Sequence, residues 1–277
     1  MIEAVQALGQ PAMRLRAPDG AEATVLLHGG HIVSWIPAGD VERLYVSPQT
    51  AAGPGEAVRG GIPVIFPQFN RRGDGPRHGF ARTRAWQWAE GHERGGVVIG
   101  VLRLTDDDET RAIWPHRFEA ELSLSLSGLR LDVELAVTNT GDTPFNFTTA
   151  LHTYLRCDDV RRARLSGLYG TRYVDSVSGQ EQQQEIDPQS FSGEIDRIYF
   201  DVGGPLALST AFGRMAVETE GFDDAVVWNP GPDKARELPD LPDDDWLQFL
   251  CIEAACIGRG VRLNPGGEWA GRQSFDA

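Results

Sequence analysis

Hydrophobic and polar positions alternate along much of the chain with a period of two residues. The clearest case is Phe118 to Leu126 followed by Leu129 to Val137, with Ser127-Gly128 between the two runs. Because successive side chains of a β-strand point to opposite faces, each run predicts a strand with one buried and one wet face. The short turn between them predicts that the two strands form an antiparallel hairpin.

The rest of the chain also predicts strands and almost no helix. Glu22 to His28 and His31 to Ile36 flank Gly29-Gly30, which predicts a second hairpin. No segment keeps an apolar period typical of a helix over three turns, and one short helical turn is predicted at Asp233 to Leu238, after Pro232. No repeat and no low-complexity linker divides the 277 residues. The sequence therefore predicts a single all-β domain, residues 1 to 277, built as a large antiparallel β-sandwich.

Four stretches lack the clean strand pattern. Residues 51 to 96 are rich in Gly, Pro and Arg, and long irregular segments of compact domains often carry function. Asp106 to Glu109 is an acidic run that is predicted to be a solvated loop. Gln180 to Asp187 is predicted to be a polar loop, and Asn229 to Trp246 a Pro-rich acidic loop.

The net charge of −14, from 40 acidic and 26 basic residues, limits the partners of the protein. Its long-range field repels phosphate backbones and anionic lipids, so neither nucleic acid nor a membrane is an expected partner. An anionic ligand would have to meet a local basic patch. Cys157, Cys251 and Cys256 are odd in number and lack a metal-type spacing, which predicts reduced, buried thiols. With no signal-peptide pattern and no 18-residue apolar segment, we expect a cytoplasmic protein.

One histidine, His152, lies within Phe145 to Arg156, a stretch that predicts a half-buried strand. On that strand it shares a face with the small and polar residues Thr148, Ala150 and Tyr154. A histidine there suits a general acid, a metal ligand or a satisfied inner residue, and the pattern alone leaves all three open.

Glu253 is the one charged residue in the apolar run Leu247 to Ile257. A lone carboxylate in such surroundings is costly unless it is paired or its pKa is raised. Two interpretations remain open: the buried half of a structural ion pair, or the acid/base partner of His152. His28 and His31 have a spacing that could suggest a metal site, but the turn between them explains it, and no metal site is predicted.

Five motifs, taken in order, resemble those of the glucose-6-phosphate 1-epimerases, the hexose-6-phosphate mutarotases of the galactose mutarotase-like, or aldose 1-epimerase, superfamily. They are RGGIPVIFPQFN (Arg59 to Asn70), RHGFARTRAWQW (Arg77 to Trp88), ALHTYLR (Ala150 to Arg156), IDRIYFDV (Ile195 to Val202) and FLCIEAA (Phe249 to Ala255). The resemblance covers nearly the whole chain, roughly from Gly30 to Glu268. It implies a large β-supersandwich and exchange of the α and β anomers of a hexose 6-phosphate, with no cofactor and no metal.

The resemblance implies that His152 is the catalytic histidine and Glu253 the catalytic glutamate. Exchange of anomers needs a base that takes the proton of the C1 hydroxyl and an acid that protonates the ring oxygen, with the roles reversed on ring closure. We expect Glu253 to be the base, with a pKa raised by its apolar strand. We expect His152 to be the acid, and both groups to titrate near the working pH.

The resemblance also implies substrate-binding roles for Arg59, Arg82 and Asp196, and a second active-site histidine at His78. Arg77 stands where family members commonly carry Gln, so it is predicted as a substrate-binding residue whose role is open. From the residues alone, His78 could simply turn the chain and Asp196 could simply form a surface pair.

Two other functions remain open from the sequence. An aldose 1-epimerase for neutral sugars would not need Arg59 and Arg82. A catalytically silent carbohydrate-binding sandwich would not need Glu253 in an apolar strand. The expected partner is a small sugar phosphate, and the sequence makes no prediction of the oligomeric state.

Overall fold

The computed structural model describes residues 1 to 277 and consists mainly of β-strands. The strands are β1 (Ile2–Ala7), β2 (Gln10–Arg16), β3 (Glu22–Leu26), β4 (Ile32–Ile36), β5 (Val64–Ile65), β6 (Gln87–Arg94), β7 (Val97–Thr105), β8 (Phe118–Ser127), β9 (Arg130–Asn139), β10 (Phe145–Leu151), β11 (Tyr154–Arg156), β12 (Arg164–Ser166), β13 (Arg172–Asp175), β14 (Gln180–Gln183), β15 (Ile195–Tyr199), β16 (Leu206–Thr210), β17 (Gly213–Glu220), β18 (Asp224–Asn229), β19 (Phe249–Leu263) and β20 (Glu268–Asp276). The helical elements are α1 (Asp108–Ile113), α2 (Gly231–Ala235) and the 3₁₀ turns Ala81–Thr83 and Asp245–Gln248.

The strands form three sheets. The N-terminal sheet has the order β1-β2-β3-β4. The second, which we call the site sheet, has the order β14-β13-β15-β18-β19-β10-β5, with β11 also paired to β19. The third, the back sheet, has the order β12-β16-β17-β20-β9-β8-β7-β6. Every pair of neighbouring strands is antiparallel, which confirms the predicted fold class.

Both hairpins predicted from the alternating pattern are present. β8 and β9 pair from Phe118 opposite Asn139 to Ser127 opposite Arg130, and buried positions alternate with half-exposed ones along both strands. β3 and β4 form the other hairpin, around Gly29-Gly30. Both glycines have a positive φ, 76° and 57°, which residues with a Cβ rarely adopt. The Gly-Gly pair is therefore needed for this turn.

The main core is a cluster of 59 buried residues that draws on all three sheets. It includes Leu122 and Leu135 of the back sheet, Val227 and Ile252 of the site sheet, and Trp35 of the N-terminal sheet. Burying one large aliphatic side chain contributes about 1.5–3 kcal/mol. The contacts between the sheets are therefore the main source of stability.

A second, smaller cluster lies on the opposite face of the site sheet. Its seven buried members are Ile65, Phe69, Ala150, Ile198, Val226, Ala255 and Ile257. Along β19, Ile252 and Ala254 belong to the main core, whereas Ala255 and Ile257 belong to the second cluster. Glu253 lies between Ile252 and Ala254, so its side chain points to the face of the second cluster. Both faces of β19 are buried at this point, which explains the unbroken apolar run in the sequence.

The strand predicted over Phe145 to Arg156 is interrupted in the middle, and the prediction is wrong at that point. β10 ends one residue before His152, and β11 begins at Tyr154. The N–H of His152 donates to the carbonyl of Pro63 at 3.0 Å, and that of Tyr154 to the carbonyl of Gly61 at 2.9 Å. Because proline has no N–H, it cannot return a hydrogen bond, and regular pairing fails beside it.

The acidic run Asp106 to Glu109 was predicted to be a loop, and this is also wrong, since α1 begins within it. The Asp107 carboxylate accepts a hydrogen bond from the N–H of Thr110, and the hydroxyl of Thr110 accepts one from the N–H of Asp107. This reciprocal cap satisfies N–H groups that a helix start leaves free, and such caps contribute about 1 kcal/mol.

Smaller departures occur in the other irregular stretches. β6 lies inside residues 51 to 96, and β14 lies inside the predicted polar loop. The predicted helical turn exists as α2, but it begins at Gly231 rather than at Asp233. Cys157, Cys251 and Cys256 are free and buried, as predicted. None of the helices has the length and hydropathy that crossing a membrane requires.

Candidate active site

All seven residues predicted to form the site line one pocket, a cavity of about 170 Å³ on the outer face of the site sheet. They are Arg59, Arg77, His78, Arg82, His152, Asp196 and Glu253. We call the residues of the site sheet and of its break the floor: His152, Glu253, Val226 and Trp228. We call the charged residues of the surrounding irregular segments and of α2 the rim: Arg59, Arg77, Arg82, Lys234 and Asp240.

On the floor, Glu253 and His152 are in polar contact, with Nε2 of the imidazole 3.2 Å from Oε1 of the carboxyl group. The Glu253 side chain is 1% exposed, and it forms no ion pair with an arginine or lysine. Its Oε2 atom and Nδ1 of His152 are both buried without a partner in the protein. The interpretation of Glu253 as half of a structural ion pair with a basic residue is therefore not supported.

Burial determines the protonation states of Glu253 and His152. Desolvation raises the pKa of Glu253 well above its usual range, and the nearby Asp196 raises it further. Desolvation, aided by His78 and Arg82, lowers the pKa of His152 well below its usual value. Both directions favour the neutral forms, so the contact joins a neutral carboxyl group to a neutral imidazole rather than two opposite charges. The expectation that His152 by itself titrates near neutral pH does not fit this environment, and the two groups titrate as a unit.

His78 lies in a left-handed turn and also lines the pocket. Its φ is 66°, and a Cβ added to the following Gly79 would lie 2.0 Å from the carbonyl oxygen of Phe66. Asn70 donates its N–H to Nδ1 of His78 at 3.3 Å. Desolvation, with Arg82 nearby, lowers the pKa of His78 to about 3. The ring is therefore neutral, and because Nδ1 accepts, Nε2 carries the proton and is a donor.

The guanidinium group of Arg59 is held by two side chains that line the pocket, Asp240 and Tyr154. Its Nε and one terminal nitrogen donate to the two carboxylate oxygens of Asp240, at 3.2 and 3.1 Å. The other terminal nitrogen donates to the hydroxyl of Tyr154 at 3.2 Å. A guanidinium group has five N–H donors, so these bonds leave two, one on each terminal nitrogen. Arg59 is thus oriented and still has donors for a ligand.

Arg82, in contrast, has no carboxylate partner. Its Nε is buried without a partner, and one terminal nitrogen donates to the carbonyl of Arg77 at 3.1 Å. Desolvation lowers the pKa of Arg82 to about 10, and the neighbouring Arg59 and Arg77 also lower it. A Cβ on Gly29 would lie 2.6 Å from the carbonyl oxygen of Arg82, so the β3–β4 turn packs directly against this residue. A half-buried cation that no carboxylate contacts favours an anionic ligand.

The rings of His28 and His31 support the segment that carries Arg59. Nε2 of His28 lies 2.7 Å from the carbonyl oxygen of Glu56, and Nε2 of His31 lies 2.7 Å from that of Gly60. Each imidazole therefore has one backbone partner, and the two partners, Glu56 and Gly60, lie on either side of Arg59 in the chain. This agrees with the interpretation of the two histidines as part of a turn.

Asp196 lines the pocket from β15. The next residue, Arg197, points to the other face of the strand and pairs with Asp175 at 3.3 Å. The surface pair between Asp196 and its neighbour is therefore not formed. Desolvation raises the pKa of Asp196, and its charge acts in turn on the carboxyl group of Glu253.

The sequence did not single out several other residues of the pocket, among them Tyr154, Trp228, Lys234 and Asp240. Tyr154 comes two positions after His152 on the same predicted face, so the alternation could have identified it. Lys234, the single lysine of the chain, and Asp240 come from the Pro-rich acidic loop, where no pattern indicates a pocket.

The pocket has a charge balance opposite to that of the whole chain. Four cations line it, Arg59, Arg77, Arg82 and Lys234, against the rim and β15 carboxylates Asp240 and Asp196. The chain as a whole has a net charge of −14. This is the local basic patch that an anionic ligand of an acidic protein requires.

The chain belongs to the aldose 1-epimerase family, whose sequence profile matches residues 11–276. It is 34% identical over 274 residues to a protein of Cenchrus ciliaris, a match that covers 95% of this chain and 83% of that protein. It is also 34% identical over 239 residues to a protein of Escherichia coli K12, covering 84% and 79%. Both relatives are provisionally named glucose-6-phosphate 1-epimerase. A crystal structure of YeaD from Salmonella typhimurium, provisionally described as a mutarotase, matches with a TM-score of 0.90 and 28% identity, covering 99% of this chain and 92% of that one.

Proposed function

We propose that the protein is an isomerase that exchanges the α and β anomers of a hexose 6-phosphate, with glucose 6-phosphate as the expected substrate. Membership of the aldose 1-epimerase family supports the reaction. The observation that carries the choice of substrate is Arg82, a half-buried guanidinium without a carboxylate partner that lines the same pocket as Glu253 and His152. A neutral sugar would leave that charge uncompensated.

Glu253 and His152 on the floor supply the base and the acid that the reaction needs. To open the ring, Glu253 takes the proton of the C1 hydroxyl, the bond between C1 and the ring oxygen breaks, and His152 gives its proton to the ring oxygen. Rotation about C1–C2 followed by the reverse transfers closes the ring on the other face. One proton stays on the pair throughout. With the sugar phosphate bound, this proton is on His152 while the sugar is closed and on Glu253 while the sugar is open.

The position of the charges supports this division of roles. C6 is bonded to C5, which carries the ring oxygen, so a 6-phosphate lies nearer to the ring oxygen than to the C1 hydroxyl. Arg82 acts on both groups, but Arg59 acts only on His152, whereas the largest charge effect on Glu253 comes from Asp196. His152 is therefore on the phosphate side, where the ring oxygen would be.

Binding of the phosphate would also adjust the pair. Arg82 and Arg59 are among the causes that lower the pKa of His152. A phosphate dianion between these arginines offsets their field and favours the protonated imidazole, which is the form that ring opening requires. The substrate's own charge thus prepares its acid catalyst.

The remaining predicted residues have supporting roles. Arg82, Arg77 and Arg59 bind the phosphate with charge-assisted hydrogen bonds, which are the strongest hydrogen bonds proteins form. His78, neutral and with its proton on Nε2, donates to a sugar oxygen. Asp196 accepts from a sugar hydroxyl.

Exchange spectroscopy by NMR tests this proposal. With glucose 6-phosphate, the protein should transfer magnetisation between the two anomers far faster than buffer does, and the rate should survive treatment with a chelator, because proton transfer by Glu253 and His152 is sufficient. Absence of any acceleration would reject the reaction. Loss of activity on chelation, restored by a divalent ion, would reject the metal-free mechanism.

A further inference from the structure

Tyr154 is placed between the rim and the floor. It follows His152 by two residues, at the start of β11, and its side chain lines the pocket although the residue is only 2% exposed. Its ring stacks on the imidazole of His152 with the centroids 5.0 Å apart and the planes at 12°. Its hydroxyl oxygen accepts a hydrogen bond from Arg59 at 3.2 Å.

The hydrogen bonds of the Tyr154 hydroxyl are incomplete. A phenol has one O–H donor and two acceptor lone pairs, and Arg59 uses only a lone pair. No protein acceptor lies within hydrogen-bonding distance of this hydroxyl for its own proton. Burial raises the pKa of Tyr154, so the group keeps that proton at any physiological pH. A buried O–H without an acceptor is costly, which indicates that an acceptor comes from a ligand.

We infer that Tyr154 is a further substrate-binding residue, whose O–H donates to a phosphoryl oxygen of the sugar phosphate that Arg59 binds. The Arg59–Tyr154 hydrogen bond puts a guanidinium donor and the phenol donor side by side, and a phosphoryl group can accept from both. The inference rests on the proposed function, and it adds a neutral donor to what was predicted as a purely basic phosphate site.

A second tyrosine gives a matched control. Tyr45 is also buried, at 5% exposure, and both tyrosine rings contact Phe249, with centroid distances of 4.9 Å for Tyr45 and 5.1 Å for Tyr154. The Tyr45 hydroxyl, however, donates to Asp245 at 2.6 Å, so its proton has a partner within the protein. Tyr45→Phe therefore reports the general effect of removing a buried phenol oxygen.

The test compares the wild type, Tyr154→Phe and Tyr45→Phe by anomer exchange on glucose 6-phosphate and on glucose. Tyr154→Phe keeps the ring that stacks on His152 and removes only the oxygen. We expect its KM for glucose 6-phosphate to rise by at least about tenfold, the lower end for a hydrogen bond to a charged group. Its kcat should change by less than about threefold, and its kcat/KM on glucose should stay the same. Tyr45→Phe should keep the wild-type constants.

Either of two outcomes would overturn the inference. Equal losses of kcat on both sugars would place the Tyr154 hydroxyl with His152 and the ring chemistry rather than with the phosphate. An unchanged KM in a folded Tyr154→Phe protein, checked by its thermal melting curve, would mean that the hydroxyl binds no substrate. If the wild type itself fails to prefer glucose 6-phosphate, the proposed function falls first, and this can be read from the wild-type constants alone.

Discussion

The floor and the rim of the pocket are built in opposite ways. On the floor, Glu253 of β19 lies opposite Val226 of β18, and its side chain is 1% exposed. The one ionisable side chain that contacts it is His152, which burial keeps neutral. On the rim, the side chains of Arg59 and Asp240 are 23% and 31% exposed, come from irregular segments and pair with each other.

The difference separates two requirements of one reaction. Moving a proton between two groups needs fixed positions and a dry surrounding, which paired strands supply. Binding a dianion that arrives from water needs charges that are accessible and only partly compensated, which irregular segments supply. We therefore expect damage to the floor to affect all sugars and damage to the rim to affect only phosphorylated ones.

The largest expected effect comes from the floor. Glu253→Gln and His152→Asn should each lower the exchange rate by at least ~10²-fold, the lower end of the contribution of a positioned acid or base. The loss should be the same on glucose and on glucose 6-phosphate. The double variant should lose less than the sum of the two, since the residues act as one unit. Near-normal rates in either folded single variant would contradict the assignment.

The next effect comes from the rim. Arg82→Ala should lower kcat/KM on glucose 6-phosphate by roughly 10- to 150-fold, which corresponds to one hydrogen bond to a charged group. Arg59→Ala should fall in the same range, and even Arg82→Lys should be impaired, because an ammonium group cannot form two parallel hydrogen bonds.

Arg84→Ala is the matched control for these variants. Arg84 is near Arg82 in the chain, but it pairs with Glu109 and does not line the pocket. A loss in Arg84→Ala equal to that in Arg82→Ala would show that total charge, rather than a specific contact, matters.

The pH dependence of the free energy of unfolding should show how much the buried Glu253 destabilises the fold. The folded-state pKa of Glu253 is raised, so as the pH rises above the usual carboxyl pKa of 4.5 the unfolded chain loses this proton while the folded protein keeps it. Stability is therefore lost as the pH rises through this window. Glu253→Gln has no proton to lose and should be more stable at pH 8 than the wild type by roughly 1–3 kcal/mol, as urea unfolding would measure. A Gln variant less stable than the wild type at pH 8 would contradict the raised pKa.

His78 gives a smaller effect of the opposite sign. Its pKa is about 3 in the folded protein against 6.5 in the unfolded chain, so the unfolded chain alone binds the proton between these values. The stability that neutral His78 contributes is present above pH 6.5 and is lost as the pH falls towards 3. Between pH 7 and pH 5, His78→Gln should lose about 1–2 kcal/mol less stability than the wild type. Parallel curves for the two proteins would argue against a neutral His78.

The sequence predicted the floor better than the rim, and the reason is physical. Alternation with a period of two fixes which face each side chain takes, so the antiparallel fold and the unusual position of Glu253 follow from local pattern. The break at His152 was missed because it depends on Pro63, a residue far away in the chain that cannot donate to the strand beside it.

The residues of the rim could be predicted from the sequence only in part. The arginines were identified by resemblance, since irregular segments have no period from which a direction could be read. The contact between Arg59 and Asp240 joins positions 181 residues apart. No local pattern predicts that an acidic loop supplies the carboxylate that orients a phosphate-binding arginine.

The most direct test of the separation between floor and rim is the ratio of kcat/KM on glucose 6-phosphate to that on glucose, measured by anomer exchange in the wild type, Glu253→Gln and Arg82→Ala. The ratio should be high in the wild type, and it should stay the same in Glu253→Gln although kcat/KM falls on both sugars. In Arg82→Ala the ratio should drop by at least about tenfold, because kcat/KM falls on glucose 6-phosphate and not on glucose. A ratio that changes in Glu253→Gln, or that survives in Arg82→Ala, would contradict the account.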